Sequence, residues 1–169
     1  DFRFHPETGE LEPVSGRTQQ GRVRDDWGDW FGCRNGSLCV HYPVDEAYYR
    51  KNPYVVSPPA EVAVPRGDDA SQLYPVGELV QFHLSGQRGR PTSACGLGLY
   101  RDVALGEPFY ENAFVCDPVN QLVHRRVLKP EGVTFAGYRA KEEQGREFLT
   151  STDNGFRPVQ MRTAPDGSL

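Results

Sequence analysis

Apolar and polar positions alternate along the chain in short runs that come in pairs. Phe2-Arg3-Phe4-His5 alternates, turns at Pro6-Glu7-Thr8-Gly9 and returns through Leu11 to Val14, which predicts a hairpin. Asp29 to Cys33 faces Leu38 to Tyr42 across Arg34-Asn35-Gly36-Ser37, where Asn-Gly favours a tight turn because both residues accept positive φ. Leu79 to Leu84 predicts a short strand, followed by a basic loop from Ser85 to Pro91. Further on, Cys95 to Tyr100, Ala113 to Cys116, Leu122 to Leu128 and Phe148 to Thr150 predict four successive strands. A loop over Arg101 to Asn112 and a turn at Asp117-Pro118-Val119-Asn120 separate the first three. Phe156 to Arg162 starts a new unit that ends at the tight turn Ala164-Pro165-Asp166-Gly167. Only Asp45 to Lys51 and Ala140 to Glu147 read as helical; Asn52-Pro53 stops the first and Gly145 weakens the second.

Four antiparallel strands followed by a fresh start is the layout of one β-propeller blade. At roughly 45 residues per blade, the 169 residues hold three to four blades, and a closed ring needs more. The expected fold class is mainly β: residues 1–169 as a segment of a single β-propeller domain, its C-terminal blade incomplete. From Pro43 to Pro75 the chain is proline-rich and weakly periodic, which predicts a long surface excursion.

Composition agrees with many short strands. The 18 glycines and 14 prolines supply turns, against one methionine. A net charge of −4, with no dense run of Lys or Arg, argues against a nucleic-acid partner. No apolar run approaches the roughly 20 residues that span a bilayer. The opening Asp1-Phe2-Arg3-Phe4 carries no basic and apolar leader, so the expectation is a removed signal peptide or a start further upstream.

The four cysteines point to an oxidising compartment, periplasmic or secreted. Cys95 and Cys116 fall on consecutive predicted strands and can lie opposite each other. A disulfide there closes about 20 residues and contributes about 3 kcal/mol in the loop-entropy model. Cys33 and Cys39 sit on the two arms of the Asn35-Gly36 turn and can pair likewise. Free thiols and a metal site are the other readings, although the spacing lacks any C-x-x-C, and no metal is assigned.

The runs Thr92 to Asp102, Asn112 to Asn120 and Leu122 to Arg125 resemble the PVC-type membrane-bound dehydrogenases, a haem-binding cytochrome family. So do Phe148 to Val159, Thr163 to Gly167, Arg24 to Cys33 and His41-Tyr42-Pro43. The resemblance covers nearly the whole chain. It implies a six-bladed propeller similar to the quinone-dependent glucose/sorbosone dehydrogenases, with a c-type haem in a separate domain. No C-x-x-C-H haem signature occurs in these residues. The cofactor it implies for the complete propeller is pyrroloquinoline quinone with calcium. The implied partners are the remaining blades and the haem domain.

On that resemblance, Arg157 matches an arginine that contacts the quinone carboxylates, a role suited to its planar fork of donors. Asn120 is the second cofactor-side candidate. Gly155 stands where a second arginine is usual, and no lysine matches near Val119-Asn120. An ion pair between Arg157 and Asp153 is the structural alternative. His124, on the strand face opposite Val123, is the candidate for proton transfer because imidazole titrates near neutrality; an exposed strand histidine is the plainer reading. Trp27, Trp30, Tyr48, Tyr49 and Tyr54 offer either a sugar-stacking surface or packing between blades. Two functions follow. One is oxidation of a sugar or alcohol with electrons passed toward the haem domain. The other is a non-catalytic platform that binds glycans or docks other domains of the same protein.

Overall fold

Turns every few residues cut the chain into short strands, and a computed structural model describes them over residues 1–56, 59–79 and 86–169. Phe2–Phe4 (β1) and Leu11–Pro13 (β2) form the first hairpin. Val23–Arg24 (β3), Trp30–Arg34 (β4), Ser37–Tyr42 (β5) and Val62–Ala63 (β6) pair in chain order as a four-stranded sheet. The four-residue helix Glu46–Tyr49 (α1) lies between its last two strands, its first turn capped by the Asp45 carboxylate. Cys95–Leu99 (β7), Ala113–Asp117 (β8) and Leu122–Glu131 (β9) build the other large sheet. Thr134–Tyr138 (β10) pairs with the end of β9, and Leu149–Thr150 (β11) with its start. Among the described residues these are eleven antiparallel strands in three sheets, none closed on itself, so the class is mainly β.

Several local expectations need correcting. The strand read as Leu122 to Leu128 runs on to Glu131 and returns as β10 across Gly132-Val133. Pro130 masks this in the sequence, but beyond Arg126 the strand has left β8, and proline is tolerated on such an edge. Residues 140–147 make only a 3₁₀ turn at Lys141–Glu143. The turn at Asn35-Gly36 forms, yet neither residue is in the left-handed region. Residues 80–84 of the strand read at Leu79 to Leu84, and Ser85 of the loop after it, lie outside the described residues. The 43–75 segment is also more than a surface excursion. It contributes β6, and its Val64 and Leu73 are buried in the core. Gly137 of β10 donates to the Val64 carbonyl at 2.8 Å and accepts from the Arg66 amide at 2.9 Å, a parallel bridge between the sheets.

The two large sheets pack across one apolar layer: Phe31, Cys33 and Leu38 from the first, Leu97, Leu99 and Val115 from the second. Tyr100, Phe114 and Val123 are buried on the second sheet's other face against Phe148, Met161 and Leu169. Each such fully buried large side chain stabilises the fold by about 1.5–3 kcal/mol. β7 therefore has no solvent-facing side, and its five residues are all buried.

Gly96 makes that possible. Gly96 and Leu97 together oppose Val115, a bulge with the glycine at φ 60°. Its amide donates to the Gln20 carbonyl at 3.1 Å, and its carbonyl accepts from the Met161 amide at 3.3 Å. Three chain segments thus cross with no room for a side chain: an added Cβ would meet the Val159 oxygen at 2.1 Å. Gly96→Ala is expected to lower the unfolding free energy by about 2–3 kcal/mol. Gly36→Ala, whose Cβ meets nothing within 4 Å, is expected to change it by less than about 0.5 kcal/mol. Urea denaturation of both variants checks this, and equal effects would contradict it.

Candidate binding cleft

The turn between β3 and β4 is organised by one carboxylate. Oδ1 of Asp25 accepts the backbone N–H groups of Trp27, Gly28 and Asp29 at 3.0, 2.8 and 2.8 Å. Such an Asx loop is what Asp favours wherever amides lack strand partners. It leaves Trp27 79% exposed, facing the β9–β10 hairpin across a cleft of about 400 Å³. Glu111, at the end of the β7–β8 loop, closes one side. It sits at φ 56°, held there by its amide donating to Tyr100 at 2.8 Å. A non-glycine residue in that region costs about 1–2 kcal/mol, and such strain concentrates where a site needs a particular geometry. Here it brings Oε1 within 3.2 Å of the Trp27 indole N–H.

Below the mouth, Phe31 and Phe135 meet edge to face at 5.0 Å, and the His41 ring lies 5.1 Å from each. The buried imidazole bridges the two walls. Nδ1 lies 2.9 Å from the Thr134 hydroxyl on β10, and Nε2 lies 3.3 Å from an Asp29 carboxylate oxygen. Burial holds His41 below its ordinary pKa, against the opposing pull of Asp29. In the neutral ring Nε2–H then donates to the carboxylate and Nδ1 accepts from the hydroxyl, so both nitrogens are satisfied. Asp29, with its side chain 39% exposed, is left facing the cleft.

His124 is elsewhere, and it is fully buried rather than exposed. Its Nδ1 lies 2.6 Å from Oε2 of Glu147, whose other oxygen accepts from Arg139 at 3.3 Å and from the Tyr74 amide at 2.9 Å. Arg139 also reaches Asp69 at 2.6 Å, and Arg126 donates to the Asp69 carbonyl at 2.9 Å. Burial lowers the His124 pKa, and Glu147 opposes that. Nδ1–H therefore donates to the carboxylate, while the bare Nε2 has no partner among the described residues. This network knits the 65–75 segment to β9 and β10; it presents no open proton-transfer group.

Arg157 donates to the Pro118 and Val119 carbonyls rather than pairing with Asp153. Asn120 is buried, its amide N–H₂ on the Arg90 carbonyl at 3.0 Å and its oxygen accepting from the Gly89 amide at 3.3 Å. Asn120 is thereby engaged at both ends of its amide, while Arg157 stays exposed and uses only Nη1 among the described residues. Cys95 lies directly opposite Cys116 in the β7–β8 register. Cys33 lies at a register shift, opposite Leu38 and Cys39 together. All four are free thiols in the structure. Burial pushes the Cys95 thiol up to about 11 and the Cys116 thiol up to about 12. Of the five aromatic candidates, Trp27 alone lines the cleft.

Comparison with known families decides membership, because one family model matches residues 1–169 throughout: a domain of unknown function, DUF7133. The chain belongs to the DUF7133 family. No curated protein and no solved structure matches it. The cleft of this DUF7133 chain was only partly marked in its sequence. The run Asp25-Asp26-Trp27-Gly28-Asp29 carries an Asx-turn signal, whereas nothing local foretells the left-handed Glu111 or the return of Thr134 toward His41.

The two buried histidines make stability depend on pH. Both fold with their pKa lowered from the ordinary value of about 6.5. His41 faces Asp29 and Asp25; His124 faces Glu147, Arg126 and Arg139. The unfolded chain therefore takes up protons first, so stability present above about pH 6.5 is lost as pH falls through the folded values. The urea midpoint is expected to be lower at about pH 5.5 than at about pH 7.5, at unchanged m. A flat or rising midpoint would contradict this.

Proposed function

We propose that this chain forms part of a β-propeller in a secreted or periplasmic protein and that its Trp27 cleft binds a neutral sugar or related polyol. The propeller reading is supported by two up-and-down four-stranded antiparallel units, β3 to β6 and β7-β8-β9-β11, packed across one core as neighbouring blades are. Among the described residues no helix is long and apolar enough to cross a membrane. The binding reading rests on one observation: an exposed indole fixed by Glu111 over a cleft that Asp25 and Asp29 also line. A flat aromatic face takes the C–H face of a sugar ring, and carboxylate oxygens accept its hydroxyl protons. Among the described residues no basic side chain lines this cleft, so they offer an anionic ligand no counter-charge there.

A second reading goes further: oxidation of the bound sugar or alcohol, with electrons passed toward a c-type haem domain. It rests on the resemblance to the membrane-bound dehydrogenases. The local feature in its favour is Asp29, held by a neutral His41 and able to take a hydroxyl proton.

The chain has two tryptophans, so Trp30→Phe leaves Trp27 as the only indole reporter. Titration of that variant with a panel of neutral oligosaccharides is expected to give a saturable change in Trp27 emission. Glu111→Gln should weaken the tightest of these by about tenfold, or 1.4 kcal/mol. No saturable response to any member of the panel would end the binding reading.

A further inference from the structure

Trp30, the other tryptophan, lines a separate shallow groove of about 380 Å³. Four arginines line it: Arg22, Arg24, Arg101 and Arg162. They lie far apart in sequence, so no basic cluster is visible there; β3, the start of the β7–β8 loop and the C-terminal segment bring them together. Among the described residues two carboxylates form ion pairs with the four guanidiniums: Asp1 pairs with Arg22, and Asp26 lies 3.3 Å from Arg101, while Asp45 and Arg3 act on Arg22 from further off in opposite senses. Arg24 makes no side-chain hydrogen bond among the described residues, and Arg162 bonds the Leu97 carbonyl at 3.3 Å. The groove therefore carries surplus positive charge in a chain whose net charge is −4.

Two of the arginines also rest against aromatic rings before any ligand arrives. The Arg22 guanidinium lies 4.8 Å from the Trp30 ring centroid and 4.9 Å from that of Tyr42, and Arg24 lies 5.8 Å from Trp30. Planar forks fixed in this way bind a carboxylate or sulfate with paired, charge-assisted hydrogen bonds and lose little side-chain entropy in doing so. Leu99 lines both this groove and the Trp27 cleft, so the two adjoin.

We infer that the Trp30 groove binds the oxyanion group, carboxylate or sulfate ester, of an acidic sugar. The oxyanion part stands on the arginines alone; the sugar part rests on the reading of the adjoining Trp27 cleft. A compact pocket for one anionic group is favoured over a nucleic-acid track, which requires a basic stripe following a backbone.

Trp27→Phe leaves Trp30 as the only indole and removes the Trp27 N–H bond to Glu111 and its emission from the neighbouring cleft, so the signal reports the Trp30 groove alone. The probes are tri-galacturonate, a sulfated galactan oligosaccharide, the methyl ester of tri-galacturonate, inorganic sulfate and a short oligothymidylate. At least one of the two acidic sugars is expected to change Trp30 emission saturably, which also tells carboxylate from sulfate ester. Added salt should weaken it, and Arg24→Ala, at an exposed position, should weaken it about tenfold. That result stands even if Trp27 answers to no neutral sugar. The inference is overturned if neither acidic sugar binds, if the methyl ester binds as tightly, or if Arg24→Ala changes nothing. Inorganic sulfate matching the glycans would remove the sugar part, and tighter binding of oligothymidylate would replace it with nucleic acid.

Discussion

One buried and one half-buried carboxylate, clustered with two buried guanidiniums and an imidazole, form the constraint on which the rest of the structure depends. The side chains of Arg126, Arg139, His124 and Glu147 are each at most 1% exposed, and Asp69 completes the set at 25%. With His124 neutral the charges cancel: Arg126 and Arg139 against Asp69 and Glu147. Burial alone raises the Asp69 pKa, but Arg139 and Arg126 more than offset that and hold it low. Such a cluster contributes little net stability while intact. Removing one member strands a buried charge at about 3–5 kcal/mol. Its consequence is therefore architectural: the 65–75 segment has one place to go.

The candidate sites inherit their shape from that constraint. Asp69 and Arg139 fix the segment that runs beside Gly137, and Gly137 belongs to β10. β10 in turn presents Thr134 and Phe135 to the cleft, where His41 ties the hairpin to Asp29 on the facing wall. The opposite side is set by Asp25 gathering three amides and by Glu111 in its left-handed conformation. Both tryptophans thus stand on a scaffold rigid on either side, one beside carboxylates and the other beside arginines.

What the sequence disclosed follows from the range of the forces involved. The hairpins at Pro6 to Gly9 and Asn35-Gly36, and the run β7, β8, β9, β11, were legible because alternation and turn residues act within a few positions. The Cys95–Cys116 register was legible for the same reason. β10 was hidden by Pro130, whose edge position depends on β9 parting from β8. The buried charges were illegible in kind, since Arg126 finds Asp69 at a separation of 57 residues. Nothing local told a solvated strand face at His124-Arg125-Arg126 from a buried network. The arginine groove joins positions 22, 24, 101 and 162 and is visible only in the fold.

The dependence of the cleft wall on the buried charges is tested most directly by hydrogen exchange, followed by peptide mass spectrometry, in the Asp69→Asn variant. That change keeps the side-chain shape and leaves Arg126 and Arg139 short of a counter-charge. Peptides covering residues 62–75 and 134–139 are expected to lose protection together, while 95–99 and 113–117 keep theirs until global unfolding. Protection unchanged in β10, or lost evenly across the chain, would contradict the account.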